Sequence, residues 1–526
     1  MTKLTNPYTQ ITMKKNNLKF LEKKLFLALL VLTTATAFSQ TITVNPAVSN
    51  QTVTFGGDAK LTIGSYANGS TATISQKLFG DMNLKVLRVP IFALQPITDP
   101  IYDNVITVIN SVKAVNPNVK IFASIANGDG YGTDYHGADK FPASWKGCCS
   151  YNVYSLNLTT YAAYLDSFMT RMTNAGITID YLGPWNEDSA DDSDHYKVFS
   201  QMTNLGTTKK IGLERWGLLT SISDVNDVED RTDIIGSHFY DDTTIPEVDW
   251  DTKWANLVSE SADPVWYTEA TRYSTNDNIN NLVAGMNNIF PAIRGGSEAV
   301  IFYQACNRIV YANGGVPPIK YSGFQNIVNN AAGKVLNSTS TDSTIKVVTF
   351  GNNSTLNIHI LNTGTTTKTV TLSLSNGYKA NGLITRKIWT STDTGTTNTY
   401  TLNGNATWNI TVNANSYNHL NIPLNQAVSS KITEGKEILV DDSNETSEIK
   451  ITPNPSTHGH FKLQLPERTT EDRVVVKMFS LEGKEVFSEV KKYEQNLSID
   501  TKLPSGLYLL SVTTAEKTYH TKVIVK

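Results

Sequence analysis

Between positions 53 and 304, short runs of apolar residues alternate with longer stretches in which apolar residues recur every three or four positions. The runs are 53–57 (VTFGG), 84–92 (LKVLRVPIF), 119–125 (VKIFASI), 179–185 (IDYLGPW), 210–214 (KIGLE), 233–240 (DIIGSHFY), 264–269 (PVWYTE) and 299–304 (AVIFYQ). Near-continuous apolar runs of this length fit strands covered on both faces, as in a parallel sheet. Between them, Val105, Ile109 and Val112 predict a helix over 105–115, and Tyr161, Leu165, Phe168 and Met172 predict another over 158–175. Eight strands, mostly followed by helices, over roughly 250 residues predict an α/β fold, a (β/α)8 barrel, spanning 53–330. A doubly wound sheet is the rival, but Gly56-Gly57 lacks the spacing of a dinucleotide-binding fingerprint.

The rhythm changes after the barrel. Residues 345–424 are rich in Thr, Asn and Val with period-two alternation (TLNIHIL, TVTLSLS), which predicts a β-sandwich side domain over 331–425. A short strand pattern at 41–45 adds residues 40–52 to it. A charged and polar run reads as a linker over 426–448. Alternating strands then return, with Pro453-Asn454-Pro455, Gly459-His460-Phe461 and Gly506-Leu507-Tyr508 at or near the turns, and predict a small all-β sandwich over 449–526. At the other end, Lys14, Lys15, Lys19, Lys23 and Lys24 precede an apolar run, and Ala37-Phe38-Ser39 reads as a cleavage site. Residues 1–39 are therefore read as a signal peptide, with Gln40 opening the mature chain. The apolar run is shorter than the ~20 residues of a spanning helix, and no membrane span is expected in the mature chain.

Charge narrows the partners. With 45 basic and 48 acidic residues the net charge is −3, which excludes a polybasic nucleic-acid binder. Three cysteines cannot staple 526 residues, so large apolar cores must hold the protein. Cys306 follows the eighth strand and Cys148-Cys149 the third; a disulfide across the barrel rim is open, with either partner.

A barrel of this kind carries its functional groups at the C-terminal ends of its strands. Those ends hold Arg88, Asn127-Gly128-Asp129, Asn186-Glu187, Glu214, His238 with Tyr240, Glu269, and Tyr303-Gln304. Strand interiors are depleted in charge, so three glutamates at strand tips single out this rim. Two carboxylates flanking one bond are what glycosidic cleavage requires, and Glu187 and Glu269 form the candidate pair. Glu214 is the third carboxylate, expected in a hydrogen-bonding or rim role.

The stretch Tyr161-Ala162-Ala163-Tyr164-Leu165, then 176–181 (GITIDY), then Asn186-Glu187 resembles the helix–strand–Asn-Glu segment of glycoside hydrolase family 30, a clan A barrel family. Trp266-Tyr267-Thr268-Glu269 resembles that family's nucleophile strand, Phe141-Pro142-Ala143-Ser144-Trp145 its loop after the third strand, Arg88-Val89-Pro90-Ile91 its second strand, and 321–325 its return into the side sandwich. The last 75 or so residues resemble the C-terminal sorting domain of the type IX secretion system of Bacteroidetes.

The first resemblance implies a secreted, retaining β-glycoside hydrolase without a cofactor or metal. Its substrate would be a polysaccharide or oligosaccharide of the xylan, β-1,6-glucan or β-1,6-galactan class. Glu187 would be the acid/base, expected to hold its proton near neutral pH beside a second carboxylate, and Glu269 the nucleophile. Asn186 would meet the sugar 2-hydroxyl, Arg88 and Tyr240 would keep Glu269 ionised, and His238 would bind substrate or Glu187. Trp145, Trp185 and Tyr303 would be stacking platforms, with Gln304 beside them, and Trp185 equally suits a filler of the barrel. The second resemblance implies the type IX machinery as a partner and a secreted or cell-surface location. The chain departs from the family at Asp188, where proline usually follows Asn-Glu. The acidic run 189–195 after it groups oxygen ligands of the kind calcium takes, and is read as a solvated loop. Arg308 suits an anionic sugar substituent or a plain surface position. A transglycosylase on the same site and a catalytically silent carbohydrate-binding barrel are the alternatives.

Overall fold

The computed structural model describes residues 40–132, 139–147, 156–190, 192–352, 354–425, 449–457, 459–465, 473–480, 485–514 and 518–526. The expected signal peptide, the linker, Cys148 and Cys149 lie outside them. Two compact units divide the chain, 1–430 and 431–526.

In the first unit eight parallel strands close into a barrel: β2 (Thr54–Asp58), β3 (Val86–Ile91), β4 (Lys120–Ile125), β5 (Tyr181–Gly183), β6 (Lys209–Arg215), β7 (Ile234–Ser237), β8 (Val265–Ala270) and β9 (Ala299–Phe302). Alternation decides which side chains enter it. Val86, Phe122, Ile211, Ile234, Trp266, Ala299 and Ile301 form one small buried cluster inside the barrel. Their outward neighbours, such as Leu87, Val89 and Ile121, join the larger core under the helices. β-branched and aromatic residues thus plug the barrel, as a packed core and not a pore. Gly56 is required by that plug, since a Cβ there would stand 2.5 Å from Ile301 Cδ1.

The helix expected from 105 begins at Ile101, because Asp99 accepts from the Ile101 N–H at 2.9 Å and caps a first turn that periodicity alone does not mark. Leu158–Asn174 is capped by Asn157, whose side chain accepts from Thr160 N, and it buries Tyr161, Leu165, Phe168 and Met172. Strands end earlier than their apolar runs. The run 233–240 leaves the ladder after Ser237 and 179–185 after Gly183, because the residues beyond bend over the barrel mouth.

Nine strands form the side sheet, in the order β15-β14-β17-β12-β11-β10-β1-β13-β16. Here β1 is Gln40–Ser49, β10 Lys334–Ser340, β11 Ile345–Gly351, β12 Thr355–Asn362, β13 Lys368–Leu374, β14 Lys379–Trp389, β15 Thr394–Asn405, β16 Thr407–Val412 and β17 Ser416–Asn425. The N-terminal strand β1 pairs antiparallel with β10 and parallel with β13, so both ends of the unit build this domain. Ile358 and Ile360 face the sheet's own core, whereas Val348, Phe350 and Leu361 belong to the barrel core. β12 is consequently buried on both faces, although its alternation reads as half-exposed.

The second unit is a seven-stranded sheet between Lys450 and Val525. Its core includes Phe461, Leu463, Val474, Val476, Met478, Leu510, Val512 and Val523. No helix among the described residues is long and apolar enough to cross a bilayer.

Candidate active site

Above the apolar plug, the barrel interior turns from hydrocarbon to charge within two residues. On β3, Val86 lies in the plug, and Arg88, two positions on and on the same face, is fully buried. Its guanidinium stands 5.1 Å over the Phe122 ring. Arg88 Nη2 donates to Glu214 Oε1 (2.6 Å), Asn186 Oδ1 (2.8 Å) and Ser124 Oγ (3.0 Å). Its Nη1 donates to Glu269 Oε1 (2.5 Å) and Asp58 Oδ2 (3.1 Å). One planar cation therefore ties β2, β4, β6, β8 and the segment after β5 together, as the forked donor geometry of arginine allows.

Glu214 enters this layer through local backbone irregularity. Leu213 and Glu214 have φ of 63° and 49°, and the β6–β7 register shifts between Leu213 and Arg215. Two glycines leave room for it. A Cβ on Gly183 would lie 2.5 Å from Glu214 Oε2, and one on Gly236 2.7 Å from Glu214 Cγ. Burial opposes its ionisation, but Arg88 and His238 hold Glu214 below the usual carboxylate range. It lies beneath the pocket and not on the rim.

Glu187 and Glu269 meet one level higher. Glu187 has φ of 59°, left-handed backbone held by a bond from its N–H to the Glu214 carbonyl at 2.8 Å. His238 Nδ1 stands 3.2 Å from Glu187 Oε1 and 3.7 Å from Glu269 Oε2. Ligand-type atoms of Glu187, His238 and Glu269 all lie within 4.8 Å of one another. Three such groups suit a divalent ion by distance, but Glu269 Oε1 already accepts from two cations, Arg88 and Lys60 (2.9 Å). Tyr240 donates its hydroxyl to Glu269 Oε2 at 2.8 Å. Burial works against the Glu269 charge, yet His238, Lys60 and Arg88 together hold its carboxyl well below the usual range.

The proton of the pair sits differently from expectation. Burial disfavours charged His238, but Glu269, Glu187 and Glu214 push it up to about 9. Burial likewise raises Glu187, and the hydrogen bond and charge of His238 overcome that and lower it. The expectation that like-charge repulsion keeps Glu187 itself protonated near neutral pH is thus corrected: in the free site the imidazole carries the proton.

A pocket of about 310 Å³ opens over these carboxylates, lined by Lys60, Leu61, Asn127, Asn186, Glu187, Trp216, Tyr240, Glu269, Tyr303 and Arg308. Of the residues picked from strand ends, Asn127, Asn186, Glu187, Tyr240, Glu269 and Tyr303 line it, with Arg88 and His238 behind them. Three picks do not reach it. Trp185 is 1% exposed and packs against Phe141, Tyr161 and His195, so it fills the core. Trp145 lies against Tyr161 and Tyr164, with ring centroids 6.2 and 5.1 Å away. Gln304 points its amide at the Tyr303 hydroxyl, 3.4 Å away. Arg308 is no plain surface residue: its guanidinium lies 5.2 Å over the Tyr303 ring.

Sequence reasoning missed Asp58, Lys60 and Trp216. Asp58 is the last residue of β2 and Lys60 stands two positions past it, where the strand-end criterion applied elsewhere would have found them. Trp216 stacks on Tyr240 at 5.8 Å and is 44% exposed. Asp188 also finds a purpose. It accepts from Asn186 N at 3.1 Å and pairs with Lys140 at 2.8 Å, so it anchors the turn that presents Glu187. Within the acidic run, Asp191 and the side chains of Asp192 and Ser193 lie outside the described residues. Cys306 is buried with a free thiol, pushed up to about 12 by burial.

Residues 450–526 match the family described as the secretion system C-terminal sorting domain. The second unit is therefore a sorting domain, and the protein is secreted or displayed at the cell surface through the type IX route. No curated protein matches the chain. Among solved structures, the chain is similar to a family 30 endoxylanase from Clostridium papyrosolvens, at 16% identity and a TM-score of 0.57, over 73% of this chain and 100% of that one. It is similar to a glycoside hydrolase family 30 subfamily 8 xylanase from Clostridium acetobutylicum, at 17% identity and a TM-score of 0.56, over 73% and 99%. The catalytic domain of a family 30 xylanase from Talaromyces cellulolyticus gives 17% identity and 0.53, over 73% and 99%. At these identities the likeness is one of fold, a (β/α)8 barrel with its side sheet.

Proposed function

We propose that the protein is an exported, retaining β-glycoside hydrolase that cleaves a polysaccharide or oligosaccharide by double displacement, with Glu269 as nucleophile and Glu187 as acid/base. One observation carries this reading: one oxygen of each carboxylate lies within 4.8 Å of the other, both on the wall of a pocket of about 310 Å³ at the C-terminal mouth of the barrel, close enough for the shorter, retaining spacing. Retaining enzymes hold their carboxyl groups about 5–5.5 Å apart, whereas inverting ones leave about 6.5–9.5 Å for a water.

The electrostatics divide the two roles. Glu269, surrounded by His238, Lys60 and Arg88, is ionised and attacks the anomeric carbon. The proton for the departing glycosidic oxygen comes from the His238–Glu187 pair, whose imidazole is pushed up to about 9, and Glu187 is the member of the pair on the pocket wall. The glycosidic C–O bond breaks, the oxygen takes that proton, and a Glu269 ester forms. Glu187, now a base, takes a proton from water, whose oxygen displaces Glu269 from the anomeric carbon and regenerates both groups. Asn186 sits where the 2-hydroxyl of the attacked sugar would lie, a contact that strengthens as positive charge develops on the ring. Trp216 and Tyr303 supply flat faces on the pocket wall.

The test is a screen of the purified protein on xylans, β-1,6-glucans and β-1,6-galactans with products sized. Xylan comes first because the solved structures of like fold include xylanases. Hydrolysis of one class, lost in Glu269→Gln with the fold intact, is the expected result. Full turnover by Glu269→Gln rejects the nucleophile. Transfer of the sugar to an added alcohol in place of water identifies a transglycosylase on the same two carboxylates.

A further inference from the structure

A buried ammonium lies between the two groups that would hold and attack the sugar. Lys60 opens the turn after β2, is 2% exposed, and still reaches the pocket wall. Its backbone N–H donates to Asp58 Oδ1 at 2.9 Å, and its Nζ donates to Asn186 Oδ1 at 2.5 Å and to Glu269 Oε1 at 2.9 Å. Burying a lysine is expensive unless it is paired and hydrogen-bonded, and this one is both. The plug beneath is already apolar and Arg88 already ties the strands together, so the fold does not need a second cation here.

We propose that Lys60 is a positioning residue of this site, whose single ammonium orients the Asn186 amide toward the sugar and stabilises Glu269 as the group expelled when the sugar is released. The inference rests on the assignment of Glu269 as nucleophile. Orientation follows from the hydrogen bonds. Asn186 Oδ1 accepts from two cations, Lys60 and Arg88, so the amide cannot flip, and its two N–H donors are what the pocket receives. The ammonium has three donors and uses two on the protein, which leaves one for an oxygen of the bound sugar.

The second effect follows from charge. The groups facing Glu269 are Asp58, Arg88, Lys60, Glu187, His238 and Tyr303, with the Tyr240 hydroxyl on Oε2. A cation on the carboxylate weakens it slightly as a nucleophile and improves it as a leaving group, by the same Brønsted logic. Lys60 therefore favours the second displacement, in which the Glu269–sugar bond breaks and the carboxylate charge returns.

The test compares Lys60→Met and Lys60→Gln, which remove the charge, with Lys60→Arg, which keeps it. Removing one cation lets Glu269 protonate at higher pH, so the acid limb of kcat/KM should rise by about one to three pH units in the neutral variants and stay in place in Lys60→Arg. On an activated aryl glycoside, kcat should fall on the order of tenfold while kcat/KM falls less, with a burst of released phenol as glycosyl-enzyme accumulates. An unmoved acid limb without a burst overturns the proposal, as does an equal shift in Lys60→Arg. Infrared titration of the carboxyl bands, with Lys60→Met/Glu269→Gln as the reference, reads the same coupling without substrate. A shifted Glu269 band in a protein that hydrolyses no glycan retires the hydrolase reading and keeps the Lys60–Glu269 coupling. An unshifted band in an active enzyme retires Lys60 alone.

Discussion

Replacing Arg88 by methionine keeps most of the side-chain volume and removes the charge at the centre of the site. Three carboxylates depend on that charge, but unequally. Glu269 retains Lys60 and His238. Asp58, pushed up to about 6 by burial, takes a proton at little cost. Glu214 keeps His238 at 3.9 Å and the more distant charge of Lys60, and is otherwise held by Ser124 Oγ at 3.1 Å. It is the buried anion that loses its one short ion-pair contact, at 2.6 Å. Breaking a buried pair from one side costs about 3–5 kcal/mol, and that is the destabilisation expected for Arg88→Met at pH 8. The sign with pH is fixed by Glu214. With Arg88 present its pKa is depressed, so its stabilisation is full above the unfolded value near 4.3 and is lost as pH falls through the folded one. Without Arg88, burial dominates and raises it, so the variant's penalty is largest at alkaline pH and shrinks as Glu214 takes up a proton on acidification. Denaturant unfolding at pH 8 and pH 5, on the single variant and on Arg88→Met/Glu214→Gln, measures this. The double variant should recover about 2 kcal/mol, within the range for residues sharing one network. A cost below about 1 kcal/mol, or one equal at both pH values and unrelieved by Glu214→Gln, refutes the reasoning.

Three further outcomes follow from the same geometry. In His238→Gln the imidazole proton is gone and Glu187 loses the contact that lowers it. On the proposed function, the basic limb of kcat/KM reports the pair whose imidazole is pushed up to about 9, and it should move to lower pH; an unmoved limb places the proton elsewhere. Gly236→Ala puts a methyl group 2.7 Å from Glu214 Cγ, so thermal unfolding should show a loss of about 1–3 kcal/mol, largely rescued by shortening the glutamate with Glu214→Asp. Trp216→Ala removes an exposed ring stacked on Tyr240. It should raise KM by up to about tenfold with the unfolding temperature unchanged, as expected for one aromatic face worth about 0.5–1.5 kcal/mol.

The barrel is legible because parallel strands covered on both faces leave near-continuous apolar runs, and all eight runs become strands. Their ends are less legible. His238 and Tyr240 continue an apolar run, yet the ladder stops at Ser237, because the last residues answer to the site and not to sheet pairing. The rule that places function at strand ends gathers Asn127, Asn186, Glu187, Tyr240, Glu269 and Tyr303 around one pocket. It falters where residue type stands in for direction: Trp185 has the composition of a sugar platform, but its backbone turns it into the core against Tyr161. Lys60 is hard to read because the first apolar run ends at Gly57, whereas the strand continues to Asp58 and the turn after it brings Lys60 to the pocket. Gly56 serves close packing inside the barrel and Gly57 the core outside it, and the charges just after them serve the pocket. The protonation of Glu187 was out of reach because it depends on His238, fifty-one residues away in sequence and 3.2 Å away in space.

The central claim is that Glu269 attacks the sugar while Glu187 handles the proton. The most direct measurement is to incubate the enzyme with an activated 2-deoxy-2-fluoro glycoside of the sugar it cleaves, digest it, and locate the added mass by sequencing the labelled peptide. The account predicts one sugar per chain, esterified to Glu269 in the peptide containing Trp266 and Tyr267, with natural turnover giving the product of retained configuration. A label on Glu187 or Glu214, or an inverted product with no label at all, would contradict it.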